Sequence, residues 1–402
     1  MNVLQINTVC GFGSTGRTSI ELARALMDHG DTCHIAYGQG ESDYEKSFKI
    51  GTRIENHLHN VGSRMFGKQA YYTTSGTSKL TQYIADIQPD VIHLRNLHGN
   101  YLNIEILFGY LASIDTPVVW TLHDCWPYTG KCAHYTAVGC DKWQLQCSHC
   151  PQVHQYPPSL FLDRSAQMFV DKKRWFSAVK DMTIVPVSHW LAGEVRKSFL
   201  ARFPIKPIYN WINQEVFKPT LSDARERYQI NKDTFVILGI SGGWRKDSSK
   251  LRDFIDLSRL LPKTMQIVLV GDTKNSDCIP EHIKHIPYVE STNELAKIYS
   301  MADVYVHFST EDTFGKVIAE ALACGTPAVV YDSTACPEVV GDGCGFVVER
   351  RNVEGAFQAA AKVSRMGKRF FSSTCIAFAT ENFNYKTNAG SYISLFGNVT
   401  EK

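Results

Sequence analysis

The sequence predicts an α/β protein built from two doubly wound parallel sheets, one in each half of the chain. Three observations carry that expectation. Short apolar runs alternate through both halves with stretches whose apolar residues recur at the three-and-four spacing of a helix face. The stretch ADVYVHFSTEDTFGKVIAEALACGTPAVV, ending at Val330, reads strand, turn, helix, strand. A crossover of that kind makes its two strands parallel and puts the turn at the carboxyl edge of a sheet. At 402 residues, 44% hydrophobic and 20% charged, the chain is long enough for two domains that each bury a core.

A formal net charge of +2 argues against nucleic acid as the main partner. The opening MNVLQINTV lacks a basic region ahead of an apolar core, and no run of about 18 apolar residues occurs. The expectation is a cytoplasmic protein, free or peripheral on the inner face of a membrane. Twelve cysteines, scattered except for five between Cys125 and Cys150, suit a reducing compartment better than a disulfide framework.

In the first half, residues 3–6 read as a strand, followed by CGFGSTGR and a helix over 18–27 carried by Ile20, Leu22, Ala23 and Leu26. Gly13, Ser14, Thr15 and Gly16 lie in that turn, either as a phosphate-approach loop or as a turn needing glycine backbone angles. A second strand covers 31–37, and 56–87 is helical with an interruption near 72–78. Arg64 and Lys68 stand there among Phe66, Tyr71 and Tyr72, a mixture that rests on an anionic membrane surface or forms a solvated helix face. Strand 91–94 leads through HLRNLHGNYLNI into a helix near Asn103, and strand 117–122 delivers His123 and Asp124. His93, His98, His123 and Asp124 thus fall along one carboxyl edge.

Cys132, Cys140, Cys147 and Cys150 then follow the spacing C-x7-C-x6-C-x2-C, whose last pair is the knuckle that lets two thiolates meet one tetrahedral ion. They are candidate ligands of a structural zinc, with Cys125, His134 and His149 in reserve; free thiols, a redox pair and disulfides are the other readings. Four thiolates would close the coordination shell, so no catalytic metal is implied.

The second half opens after PIYNWIN at 207–213 and a polar hinge at 214–233. Strand 235–240 runs into SGGWRKDSSK, which carries Gly242, Arg245, Lys246 and Lys250 ahead of a helix over 251–261. Strand 266–270 ends at Gly271 and Asp272, a candidate edge of a base pocket, and a helix covers 293–299. Strand 304–308 follows, then the turn with Glu311, Asp312 and Thr313. Its helix is opened by Gly315, flanked by Phe314 and Lys316, and closed by Gly325-Thr326-Pro327. Another strand at 327–331 and helices beyond Asn352 complete the series, and 383–396, with Tyr385, Tyr392 and Leu395, reads as a terminal helix. Asp312 and Glu320 are eight residues apart, roughly 12 Å along a helix, about the span from a sugar to the ribose of a nucleotide diphosphate sugar. Taken singly, they read more readily as a helix N-terminal acid and a solvated one.

The acid pair with its ACGTP ending resembles the nucleotide-recognition motif of family 4 glycosyltransferases of the GT-B architecture. GSTGR, PDVIHLRNLHG, TLHDCWPYTG with its cysteines, and VSHWLA resemble a subgroup of that family found in bacterial surface-polysaccharide clusters. The resemblance implies two Rossmann-like domains facing across a cleft: 1–213, a hinge at 214–233, 234–381, and a helix at 382–402 returning to the first domain. It implies transfer of a sugar, with retention, from a UDP-, GDP- or ADP-sugar to a hydroxyl of a lipid-linked or oligosaccharide acceptor. His123 matches the histidine beside the transferred sugar, with Asp124 orienting it or the acceptor. Glu320 matches the ribose acid, and Glu311 or Asp312 the sugar acid. Arg245 and Lys246, with Lys250 as the alternative, and residues 313–315 would meet the diphosphate. No Asp-x-Asp pair occurs, so a metal-dependent donor site is not expected. The rivals are a nucleotide-sugar epimerase of the same architecture, a zinc-bearing nucleic-acid-binding protein, and a catalytically dead subunit of a polysaccharide complex.

Overall fold

The computed structural model describes residues 1–273 and 278–401. The chain divides into two compact units, Met1–Ile208 with Lys386–Lys402, and Tyr209–Tyr385. Among the described residues each unit holds one six-stranded sheet, and the recorded pairings are all parallel.

The first sheet comprises β1 (Asn2–Val9), β2 (Thr32–Gln39), β3 (Ser47–Lys49), β4 (Val91–Leu94), β5 (Val118–Leu122) and β6 (Met182–Pro186), in the order β3-β2-β1-β4-β5-β6. The second comprises β7 (Phe235–Ile240), β8 (Met265–Val270), β9 (Lys284–Ile286), β10 (Val304–His307), β11 (Ala328–Tyr331) and β12 (Gly345–Val348), in the order β12-β11-β10-β7-β8-β9. Counted within each unit, both orders are the doubly wound 3-2-1-4-5-6. Every residue of β4, β5, β6, β10 and β11 is buried, because helices cover both faces of a parallel sheet. That burial is why these strands are largely apolar.

Strand order reverses between β1 and β4 in the first unit and between β7 and β10 in the second. In open α/β sheets, ligands bind outside the carboxyl ends at such switch points. Chain topology alone therefore singles out the segments after β1, β4, β7 and β10.

Two expected boundaries are corrected. The first helix spans Gly13–Asp28 instead of starting at Thr18, so residues 13–16 form its first turn rather than a loop before it. The Gly11 amide donates to the Gly16 carbonyl at 3.1 Å, and a Cβ on Gly16 would sit 3.0 Å from Val9 Cγ2. That turn packs through glycine and bonds through Thr18 and Ser19 hydroxyls to the carbonyls of Ser14 and Thr15, so no apolar periodicity announces it. The second correction concerns helices Arg53–Phe66 and Thr74–Ile87, whose break falls at 67–73 rather than 72–78. Gly67, at φ 71°, ends the first of them in the left-handed conformation that favours glycine.

Candidate active site

In the second unit the loop after β10 is pinned from below. The Asp312 amide donates to Thr334 Oγ1 at 3.0 Å, the Ala335 amide to the Asp312 carbonyl at 3.1 Å, and the Ser333 hydroxyl to the Thr310 carbonyl at 2.8 Å. His307, the last residue of β10 and 6% exposed, lies 2.8 Å through Nε2 from Asp312 Oδ2. A carboxylate only accepts, so Nε2 carries the proton; Nδ1 lies 2.9 Å from the Tyr305 hydroxyl. A chain of three side chains thus runs from the buried sheet to the motif acid. Burial works against the Asp312 charge, but His307, Lys250 and Ser309 outweigh it and hold the carboxyl well below its ordinary value.

Asp312 does not lie on the following helix, which spans Lys316–Ala323 behind Gly315 at φ 84°. The 12 Å helical spacing expected between Asp312 and Glu320 therefore does not apply, because the first acid sits on an irregular loop. Glu320 is on the helix, 8% exposed, and accepts from the Tyr299 hydroxyl at 3.0 Å. Glu311 is half-buried and Thr313 buried. Phe314 packs its ring against Tyr209 and Phe383, so its side chain belongs to the core.

The loop after β7 separates its three cations. Arg245 is exposed and forked on Asp247 at 2.8 and 3.1 Å, and Lys246 and Gly242 are exposed. Lys250 stands in the first turn of helix Ser249–Leu260, and it is the cation whose charge reaches Asp312 and Cys336. Gly271, at φ 135°, brings β8 against this loop so closely that a Cβ there would meet the Ser241 carbonyl oxygen.

The carboxyl edge of the first unit sorts its histidines. His93 is fully buried, lies 2.8 Å from Thr121 Oγ1 and packs on the rings of Tyr392 and Phe396, so its part is structural. His98 Nε2 lies 2.5 Å from Asp124 Oδ2, and its Nδ1 3.1 Å from the Tyr156 hydroxyl. Burial opposes the Asp124 charge, but His98, His134 and the Trp126 amide hold its carboxyl below the ordinary range. The recorded histidine partner of Asp124 is therefore His98. His123 Nε2 lies 3.3 Å from an NH2 nitrogen of Arg95. A guanidinium only donates, so that ring nitrogen accepts and Nδ1 carries the proton. Arg95 is 3% exposed, bonded also to Gln5 and Thr18, and burial pulls it down to about 10. Gly13, Ser14, Thr15 and Gly16 open the helix beyond β1 at the same switch point.

Two family models match the chain: Glycosyltransferase Family 4 over residues 15–216, half of its length, and Glycosyl transferases group 1 over residues 264–369. The chain belongs to glycosyltransferase family 4. Over 371 residues it is 24% identical to the colanic acid biosynthesis glycosyl transferase named WcaC of Escherichia coli (strain K12), covering 88% of each chain. Over 223 residues it is 24% identical to N-acetyl-alpha-D-glucosaminyl L-malate synthase of Bacillus anthracis, covering 51% of this chain and 58% of that one. Sucrose-phosphate synthase from Thermosynechococcus elongatus shares the fold at TM-score 0.72 and 15% identity over 99% of both chains. Anabaena HepE in complex with UDP does so at 0.67 and 16%, over 99% of this chain and 100% of that one.

Four residues of this family 4 transferase were not singled out from sequence. Tyr305 and His307 lie two apart on β10, hidden in an apolar strand. Arg95 and Tyr156 come from connecting segments whose targets only the fold reveals. A signal existed for His307, since it ends a strand just as the histidines noted in the first half do.

A cavity of about 1040 Å³ lies in the first unit. It opens beyond β2, where Gln39, Lys49, Arg53, His57, Asn100 and Tyr156 line it. Tyr156 joins it to the His98–Asp124 pair. Among the described residues one group, His307, Asp312 and Cys336, brings three metal-ligating atoms within 4.8 Å of one another. Burial keeps the Cys336 thiol protonated and His307 already holds Asp312, so that group is a hydrogen-bonded cluster rather than a metal centre. No described helix is long and apolar enough to cross a membrane.

Proposed function

We propose that this transferase moves a sugar, with retention, from a nucleotide diphosphate sugar to a hydroxyl of a lipid-linked or oligosaccharide acceptor in surface-polysaccharide assembly. The observation that carries the donor half is the convergence of Asp312, Lys250 and the helix bearing Glu320 on the β7/β10 switch point. Asp312, ionised and held by His307, accepts from sugar hydroxyls. Glu320 accepts from the ribose, and the helix start at Gly315 and Lys316 faces the phosphates with its unpaired amides. Lys250 takes the diphosphate charge as it develops on the leaving group. Arg245 and Lys246 are outlying cations.

A screen of UDP-, GDP- and ADP-sugars for thermal stabilisation tests this reading. One base should raise the melting temperature by several degrees, since ligand at about 100 times its Kd adds about 2.7 kcal/mol. No stabilisation by any of the three would remove the donor site. With the donor in hand, a product that forms only when acceptor is added separates transfer from epimerisation.

The lipid-linked form of the acceptor is supported by helix Arg53–Phe66, which is amphipathic the wrong way round. Polar Asn56, His59 and Ser63 face inward, while Ile54, Leu58, Val61 and Met65 are exposed at helical spacing. Ile54 and Leu58 also line the large cavity, and Arg53, Arg64 and Lys68 lie along the same segment. Tyr71 donates to Asp171 and Tyr72 packs on His59, so neither belongs to this face, contrary to the grouping with Phe66 expected from sequence. The expected result is co-sedimentation with vesicles containing anionic lipid, weakened at least about 10-fold by I54S/L58S/M65S and by raised salt. Equal retention of that triple variant would dismiss the lipid face.

A further inference from the structure

The segment between β5 and helix Ser165–Ser177 carries three short 3-10 turns and otherwise no regular structure, so its backbone hydrogen bonds alone tie it down weakly. The twelve cysteines are free thiols. Four of them, Cys132, Cys140, Cys147 and Cys150, line a single cavity of about 20 Å³. That volume admits one water-sized particle.

The geometry points to a structural zinc ion held by Cys132, Cys140, Cys147 and Cys150 inside that cavity. Cys132 and Cys150 already stand 3.7 Å apart, sulfur to sulfur. A tetrahedron with Zn–S bonds of about 2.3 Å has edges of about 3.8 Å, so this pair sits at the spacing of two ligands on one ion. Cys147 Sγ accepts the Gly130 amide at 3.1 Å, the bond that steadies a metal thiolate from outside. Gly130 must be glycine for it, because a Cβ would meet the Ser165 carbonyl oxygen at 2.4 Å. His149 at φ 44° folds the Cys147–Cys150 knuckle back on itself. No three of the four sulfurs lie within 4.8 Å of one another, so the four would draw together on binding the ion. Four Zn–S bonds form, four thiol protons leave to solvent, and nothing is oxidised or reduced.

A four-thiolate zinc centre carries two negative charges, and two lysines stand ready for them. Lys131 lines the cavity and donates to the carbonyls of Gln152, Val153 and Gln155. Lys172, fully buried, donates to the Trp126 carbonyl at 2.6 Å and lies over that indole ring at 3.9 Å. The ion would thereby staple the segment that begins at Asp124 and Trp126, steadying the base of the His98–Asp124 pair. None of this depends on the donor reading.

Metal analysis of the full-length protein purified without added metal gives the test. One zinc per chain is expected, with four sulfur neighbours at about 2.3 Å by X-ray absorption. C132S and C150S should each lower zinc content at least about 10-fold, and C278S should leave it at one. Hydrogen exchange of the wild-type protein should rise on chelation within residues 125–164 and stay constant in the second unit. Less than half an equivalent of zinc in the native protein, or a Cys132–Cys150 disulfide by mass spectrometry, would overturn the assignment. The native metal content decides the matter even if a serine variant does not fold.

Discussion

Replacing Asp312 by asparagine lowers kcat/KM for sugar transfer by about 10²–10³-fold while leaving the fold intact. The factor is that seen when one charged or dipolar group aimed at the reacting centre is removed from a preorganised site. Asparagine keeps the shape of the side chain and the backbone bonds to Thr334 and Ala335, but it cannot accept from His307 and the sugar hydroxyls with a full negative charge. The same charge has a signature in stability. Burial raises the Asp312 carboxyl, and His307, Lys250 and Ser309 more than reverse that, so its folded value lies below the ordinary 3.8. A depressed acid contributes stability above its unfolded pKa and loses that contribution as pH falls toward the folded value. Wild type should therefore lose stability more steeply than D312N below about pH 4. Acid unfolding curves that superimpose would mean that the His307–Asp312 bond is not formed in solution.

Lys250 to methionine should cost about 10²-fold in kcat with a smaller change in KM, because the diphosphate gains charge chiefly as the glycosidic bond breaks. Methionine retains most of the apolar stem of the first-turn residue, so the helix should survive. Arg245 to methionine is the contrasting measurement and should cost less than about 5-fold. Its guanidinium is forked on Asp247 at the exposed tip of the loop, where solvent screens it. Steady-state kinetics of the two variants under one donor concentration series decide between them. The opposite ranking would move the diphosphate to the outer end of the loop.

This ranking of cations shows where sequence stops. Arg245, Lys246 and Lys250 fall within one hexapeptide, and spacing cannot say which faces inward. That depends on the helix start, where Ser248 caps helix Ser249–Leu260 and leaves Lys250 in its first turn, with its charge acting on Asp312. Eight of the strands were legible as largely apolar runs, as at β7, whose bounds match those expected, whereas β3, β6, β9 and β12 were not read from the sequence. The helix over residues 13–28 was legible only from Thr18 onward, since its first turn packs with glycine and bonds with hydroxyls. Asp312 and Glu320 were singled out by their separation together with the family resemblance, yet the helical spacing attached to them does not hold, because Gly315 starts the helix after the first acid. His307 was missed for a similar reason: in an all-buried strand a polar residue carries no periodic signal, and its partner lies on a loop.

On the proposed function the second unit holds the donor between the loops that follow β7 and β10. Hydrogen exchange with and without a saturating concentration of the stabilising nucleotide tests it most directly. Protection should appear at residues 242–250 and 309–320, with Glu320→Gln reducing it. Protection confined to the first-unit cavity around Gln39, Arg53 and Asn100 would contradict the claim.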